Sequence, residues 1–397
     1  MFGSWRTVPV RATKVACVLI INSFGKTRRF FAAIALASSV AGCVGPAGVG
    51  KPVSWSSLPG WQQGQQAEVW PALRENCRRL ANADVRWQAI CLEAEQLASP
   101  DDATARAFFE SRFTPHKVAG EDGKRRGLVT GYYEPLLEGS LVRTERFRYP
   151  IYQRPENLLT IDLGELYPEL HGRPVRGRLQ GGRVVPYFSR AEIDNGYAPL
   201  AGNEIAWVDD AVSLFFLHVQ GSGRIRLPNG EVLAVGYADQ NGHPYVSIGR
   251  RLRELTGLEP DEVNLYSIRQ WLETHSEAAV QLLHSNPSYI FFSIRDSTLP
   301  GPLGSLQVPL TAERSVAVDP KYIPLGVPLW LDTTLLKDGP TYRRLVLAQD
   351  TGGAIKGPLR VDVYFGQGAG AERLAGRMRE QGRIYVLLPA QARTARK

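Results

Sequence analysis

Asp350 and Asp362 bracket a glycine-containing turn in the stretch LVLAQDTGGAIKGPLRVDVYFG, residues 345–366. Two carboxylates held close together suit general acid–base chemistry. One can stay protonated and donate to a leaving oxygen if burial or its neighbour raises its pKa. Leu345, Val346, Leu347 and Ala348 read as a short buried strand. Arg360 to Phe365 alternates in period two, with Val361, Val363 and Phe365 on one face and Arg360, Asp362 and Tyr364 on the other. One carboxylate therefore closes the first strand and the other points off the solvent face of the second. Between them Gly352 and Gly353 lack a Cβ, so backbone N–H groups there can approach a ligand closely, with Lys356 just beyond. The plainer reading is a turn carboxylate and a solvated strand charge. A third acidic segment upstream, SVAVDPKYIPLG with Asp319, sets this pair apart.

Other chemistries find little support. The six histidines are scattered, without His-x-x-x-His or Cys-x-x-Cys spacing, so no metal is expected. Gly221-Ser222-Gly223 lacks the nucleophile-elbow pattern, and His218 lies too near it in sequence to be a convincing partner. No Gly-Lys-Ser/Thr follows that loop and no dinucleotide fingerprint is present, so no cofactor is expected either. A loop hugging a sugar chain fits Gln220, Gly221 and Ser222 better. Gly131-Tyr132-Tyr133-Glu134-Pro135 has the side chains of a sugar site, since aromatic faces stack on pyranose C–H groups while hydroxyls and a carboxylate orient the ring. A core tyrosine pair with a surface glutamate is the alternative for the same residues.

The elements that must position these groups are mostly strands. Val69–Leu97 reads as helical, and Pro100-Asp-Asp102 opens another helix that buries Phe108, Phe109 and Phe113. Gly127 begins a strand. From Leu141 to about Ile290 short β-like runs alternate with turns; RLQGGR (178–183), LPNG (227–230) and QNG (240–242) carry hairpin signals. Ser189-Arg-Ala-Glu192 is a capping box, Ile205–Trp207 and Leu214–Val219 are strand-like, and Leu265–His284 forms two short helices ended by Asn286-Pro287. A helix over Ala371–Glu380 and a strand over Arg383–Leu388 close the chain. Periodicity by itself supports a mainly β protein of two lobes with peripheral helices.

Taken in order, these segments resemble the membrane-bound lytic murein transglycosylase A family. AVDPKYIPLG, AQDTGGAIKG and RVDVYFG resemble its three-aspartate "3D" domain. GYYEP, YPIY (149–152), WVDD (207–210), HVQGSGR (218–224), GYADQNGH (236–243) and NPSY (286–289) resemble its other motifs. The likeness covers nearly everything after about Leu58. It implies a double-psi β-barrel catalytic domain built from 67–140 and 295–397, with the three-aspartate region at about 305–390. A second small β-barrel is inserted at 141–294, and a substrate groove lies between them. It implies a lytic exotransglycosylase that cleaves the β-1,4 bond between N-acetylmuramic acid and N-acetylglucosamine and leaves 1,6-anhydromuramic acid ends. Asp362 would be the single acid/base. Asp350 would orient it or raise its pKa, and Asp319 would be structural. Gly131, Tyr132, Tyr133, Glu134, Gln220, Gly221, Ser222 and Lys356 would bind the glycan strand, and other cell-wall enzymes are further candidate partners. A non-catalytic peptidoglycan-binding lipoprotein and a water-using muramidase remain as alternatives.

Composition is consistent with an exported enzyme of 397 residues. The formal charge of +8 invites a nucleic-acid reading. Six of the cations, however, lie in the first 42 residues, which contain no acid, so the body is nearly neutral and makes no case for binding a phosphate backbone. Lys26, Arg28 and Arg29 form a basic region before the short apolar run Phe30–Val40, and Val-Ala-Gly-Cys43 resembles a lipobox. Residues 1–42 then form a lipoprotein signal peptide, Cys43 is the lipidated position and 43–66 is a tether rich in Gly, Pro and Ser. Val44, in place of the Asp associated with inner-membrane retention, points to the outer membrane of a Gram-negative cell, facing the periplasm. Cys77 and Cys91 remain in the body; an oxidising compartment favours a bridge between them over two buried thiols.

Overall fold

The computed structural model describes residues 47–83, 85–171 and 175–390. The leader and Cys43 lie outside them. Six strands close into a ring: Gly127–Glu134, Arg379–Pro389, Pro328–Thr334, Thr341–Asp350, Ser315–Ala317 and Arg360–Gln367, the last returning to the first. Alternate residues of each strand point inward. Val129, Leu329, Leu331, Val346, Ala348, Val361, Val363, Ile384 and Val386 all fall in one core cluster.

The outward residues Trp330, Leu345, Leu347, Tyr385 and Leu387 are buried as well, under a helical cap contributing Trp61, Trp70, Phe108, Phe109 and Phe113. Burial on both faces is why Leu345–Ala348 reads as an unbroken apolar run. The cap consists of helices Trp70–Leu80, Val85–Leu97 and Asp102–Arg112. Asp101 caps the last of these by accepting from Thr104 N–H. Cys77 and Cys91 are disulfide-bonded and join the first two.

The second lobe is a six-stranded sheet of Leu136–Ser140, Tyr149–Tyr152, Glu204–Val208, Ser222–Arg226, Val232–Gln240 and Ile290–Arg295. A single parallel bridge, Gln153 to Phe292, joins its two edges. Its core holds Leu137, Ile151, Ala206, Val208, Leu217, Ile225, Val235 and Phe292. The two lobes share packing and belong to one compact unit. Ile248, Leu252, Leu265, Ile268 and Leu272 from the second lobe's helices join the same cluster as Phe365, Ala371 and Ala375.

Several sequence expectations change. Residues 48–66 are not a tether. Gly48–Pro52 pairs with strand Phe113–Ala119, and Trp61 is 1% exposed with its indole N–H donating to Glu110. The Gly, Pro and Ser content masked the anchoring tryptophans. Leu214–Val219 is not a strand but the body of helix Ala211–Gln220, capped by Asp210 through Val212 and Ser213 N–H groups. An apolar run that short does not separate helix from strand. Leu136–Ser140 pairs within the second sheet, so the chain passes between lobes at Pro135 rather than after Ser140. The turns at 178–183 and 227–230 close hairpins as expected. Gln240-Asn-Gly242 does not, because the partner of its strand is Ile290–Arg295, far along the chain. The C-terminal helix ends at Arg377, and Glu380 belongs to the final strand.

Candidate active site

The barrel's strand register brings the two aspartates together. Ala317 pairs with Asp350 on one side and with Asp362 on the other. Their backbones are thus two strand spacings apart, roughly 10 Å. Thr130 stands opposite Asp362 on the neighbouring parallel strand, and its hydroxyl donates to Asp362 Oδ1 at 2.5 Å. Arg360 Nη2 donates to the same hydroxyl oxygen at 2.7 Å. Asp350 Oδ2 accepts from Tyr132 Oη at 2.9 Å, and its Oδ1 accepts from Ser305 N–H at 2.9 Å and Ser305 Oγ at 3.1 Å.

Both aspartates line a cleft of about 760 Å³ between the lobes. Burial pushes the Asp362 carboxyl above its usual range; Arg360 and the Thr130 hydrogen bond oppose this and the Asp350 charge adds to it. Burial also raises Asp350, against the hydrogen bonds from Thr351 N–H, Ser305 and Tyr132. Strand Arg360–Gln367 alternates in period two as expected, but its second face is not open to solvent: Tyr364 is buried against Tyr132, Leu310, Ala317 and Ile355, and Asp362 is half-buried. A half-buried carboxyl biased toward its protonated form, opening on a cleft, is the equipment of a general acid.

Asp319 plays a different part. It is buried and accepts from Lys321 N–H at 3.1 Å and from Gly357 N–H at 2.7 Å, tying down both loops. That is the turn-satisfying role expected of it. Lys356, Gly352 and Gly353 line the cleft. A Cβ on Gly352 would meet Ile355 at 2.7 Å, whereas one on Gly353 would meet nothing.

The Gly131–Glu134 group splits. Gly131 and Tyr132 reach the cleft, but Tyr133 and Glu134 do not line it. Tyr133 is 4% exposed and packs in the barrel cluster. Glu134 is buried and pairs with Arg224 Nε at 3.1 Å; its pKa is raised by burial and pulled back by that arginine. Strand alternation turns Tyr133 away from Tyr132, and the guanidinium claims Glu134. A Cβ on Gly131 would sit 2.5 Å from Phe365, so packing alone demands glycine there. Gln220, Gly221 and Ser222 all line the cleft. Gln220 Oε1 accepts from Tyr133 N–H at 3.0 Å, stitching the lobes together, and Gly221 ends its helix at φ +78°.

Sequence reasoning gave no role to several groups at the site. Thr130 and Arg360, brought together by strand register, and Ser305, from the loop between Arg295 and Ser315, hold the aspartates. Arg190, His218, Tyr245, Asn286 and Ser288 form the opposite wall. Arg190 is 3% exposed, donates from Nη2 to Ser288 O at 2.8 Å and to His218 Nδ1 at 2.9 Å, and lies over the rings of Phe215 and Tyr289. Burial and that cation hold His218 well below its ordinary pKa, so it is neutral. Among the described residues no group of three or more His, Cys, Asp or Glu could hold a metal, and no helix is long and apolar enough to cross a membrane.

Residues 128–293 match the family described as the MltA specific insert domain, and 314–388 match the 3D domain. Membrane-bound lytic murein transglycosylase A of Escherichia coli K12 is 35% identical over 283 residues, 69% of each chain. The chain belongs to the membrane-bound lytic murein transglycosylase A family. The Vibrio cholerae relative of the same name is 30% identical over 298 residues, covering 73% of this chain and 72% of its own. Among solved structures, MltA from Neisseria gonorrhoeae superposes with a TM-score of 0.72 at 36% identity, covering 87% of this chain and 96% of that one. The Agrobacterium tumefaciens membrane-bound lytic murein transglycosylase gives 0.76 at 34% identity, covering 86% and 98%. E. coli MltA with bound chitohexaose gives 0.66 at 29% identity, covering 88% and 96%. Members so named are enzymes, and this chain carries the family's insert and its three-aspartate region on the two sides of one cleft.

Proposed function

We propose that this protein is a peptidoglycan lytic transglycosylase in which Asp362 is the single acid/base. It would cleave the β-1,4 bond between N-acetylmuramic acid and N-acetylglucosamine. The observation that carries the reading is a half-buried carboxyl, held by a hydroxyl and biased toward protonation, on a cleft of glycan-strand size with no second unpaired carboxylate besides its partner Asp350 among the lining residues. Asp362 protonates the leaving oxygen. The C6 hydroxyl of the muramic acid ring then attacks C1 and returns its proton to Asp362, leaving a 1,6-anhydro end. A hydrolase would need a second carboxylate to activate water. Asp350 is engaged by Tyr132 and Ser305 and is given the role of tuning Asp362. Gly131, Tyr132, Gln220, Gly221, Ser222 and Lys356 are assigned to the glycan. The ring of six strands is read as a double-psi barrel.

Mass spectrometry of muropeptides after digestion of purified sacculi tests this reading. Anhydro ends support it, reducing ends would favour a muramidase, and no product would leave a glycan-binding lipoprotein. Cys43 is proposed as a lipidated outer-membrane anchor. Cys43→Ser should release a soluble periplasmic form, and unchanged membrane fractionation would refute the anchor.

A further inference from the structure

The hydrogen bonds behind Asp362 have a direction. A guanidinium only donates, so Thr130 Oγ1 must accept from Arg360 Nη2. A hydroxyl has one proton, and with that lone pair engaged it is directed to Asp362 Oδ1. The guanidinium is itself pinned, since Nη1 donates to Val361 O at 2.7 Å and to Leu128 O at 3.4 Å.

We propose that Arg360 is a positioning residue: by orienting the Thr130 hydroxyl it makes Asp362 Oδ1 a permanent acceptor and assigns the transferable proton to Oδ2. This rests on the reading of Asp362 as acid/base. In the forward step the Oδ2–H bond breaks and its proton bonds the glycosidic oxygen, which keeps the electron pair of the broken C1–O bond. In the second step the attacking hydroxyl oxygen bonds C1 and its proton returns to Oδ2. The arrangement fixes which oxygen faces the bond and holds it at one rotamer through the cycle.

The charges around Asp362 are few. From the adjacent strand comes Tyr132, and from the next strand on either side come Asp350 and Arg379, the latter paired opposite Thr130. Its own strand adds Arg360 and Tyr364. The loop beyond Asp350 brings Lys356 to the cleft, and Asp319 is occupied by backbone donors there. Of these, Arg360 is the cation that most favours the ionised carboxylate, with the Thr130 hydrogen bond acting in the same sense. Removing either should let Asp362 keep its proton to higher pH.

The experiment is a kcat–pH profile, reading anhydro products from purified peptidoglycan, for wild type, Arg360→Gln, Thr130→Val, Thr130→Ser and Asp362→Asn, with melting temperatures to confirm folding. Arg360→Gln and Thr130→Val should each lower kcat about tenfold at the optimum and move the alkaline limb to higher pH. Thr130→Ser should restore both to within about twofold. An alkaline limb that stays in place in a folded Arg360→Gln variant overturns the proposal. Should that variant fail to fold, Thr130→Ser behaving like Thr130→Val overturns it instead. An active Asp362→Asn enzyme would refute the acid/base reading itself, whereas an inactive one beside an unmoved Arg360→Gln profile removes only the proposed role of Arg360.

Discussion

Carboxylates outside the cleft and inside it are held in opposite ways. In the inserted lobe Asp239 is buried and gripped by Arg154 and Arg176, each at 3.0 Å. Near the lobe junction Glu134 is paired with Arg224, and at the far side of the barrel Asp332 holds Arg343 and Arg383, both at 2.8 Å. Asp350 and Asp362 accept hydrogen bonds from hydroxyls and a backbone N–H, with the nearest guanidinium one residue removed behind Thr130. A carboxylate paired directly with arginine is committed to holding the fold together. One held by neutral donors can be protonated and remain in place. The inserted lobe thus brings amides, rings, a neutral His218 and the guanidinium of Arg190 to the cleft, and the barrel brings the two carboxyls.

That contrast can be broken by substitution. Asp362→Asn keeps shape and hydrogen bonding but cannot donate a proton, so kcat should fall about 10²–10⁴-fold while binding to glycan, measured by calorimetry, survives. Glu134→Gln is the matched control. It should lower stability and leave the anhydro product unchanged; loss of all product there, with Asp362→Asn near wild type, would reverse the assignment of roles.

A third region, the helical cap, should affect stability alone. Replacing Cys77 and Cys91 by serine together is expected to cost about 3 kcal/mol in denaturant unfolding, with kcat/KM unaltered. A matching loss of activity would mean that the cap communicates with the cleft. On the inserted lobe's wall, Gln220→Ala removes the acceptor of Tyr133 N–H. KM should rise about five- to tenfold with kcat within about twofold; a fall in kcat instead would give the inserted lobe a share of the chemistry.

The smallest effect concerns stability and pH. Asp362 is raised in the folded protein, so the native state holds a proton that the unfolded chain has already lost. Its contribution to stability is complete below the unfolded pKa, near 4, and is lost as pH rises through the raised folded value. Asp362→Asn abolishes that loss. The variant should therefore melt at a slightly higher temperature than wild type at neutral pH, and the gap should close under acid. A gap that widens under acid would show that the carboxylate, not the acid, is the form the fold favours.

The sequence by itself marked some strands of the barrel, such as the alternating Arg360–Phe365 and the doubly buried Leu345–Ala348, though not their pairing. It also determined the local caps at Asp101 and Ser189 and the turn role of Asp319, whose partners lie within a few residues or across one loop. The family followed from the ordered motifs. Tertiary structure alone decided which of the Tyr132, Tyr133 and Glu134 side chains meets the cleft, since that depends on what covers each face of the strand. It alone turned Leu214–Val219 into a helix and folded 48–66 onto the barrel. It alone placed Arg360 behind Thr130 and Thr130 against Asp362, residues more than two hundred positions apart joined by parallel strand register. Contacts across that separation leave no local pattern, because the physics that selects them is the packing of the closed ring.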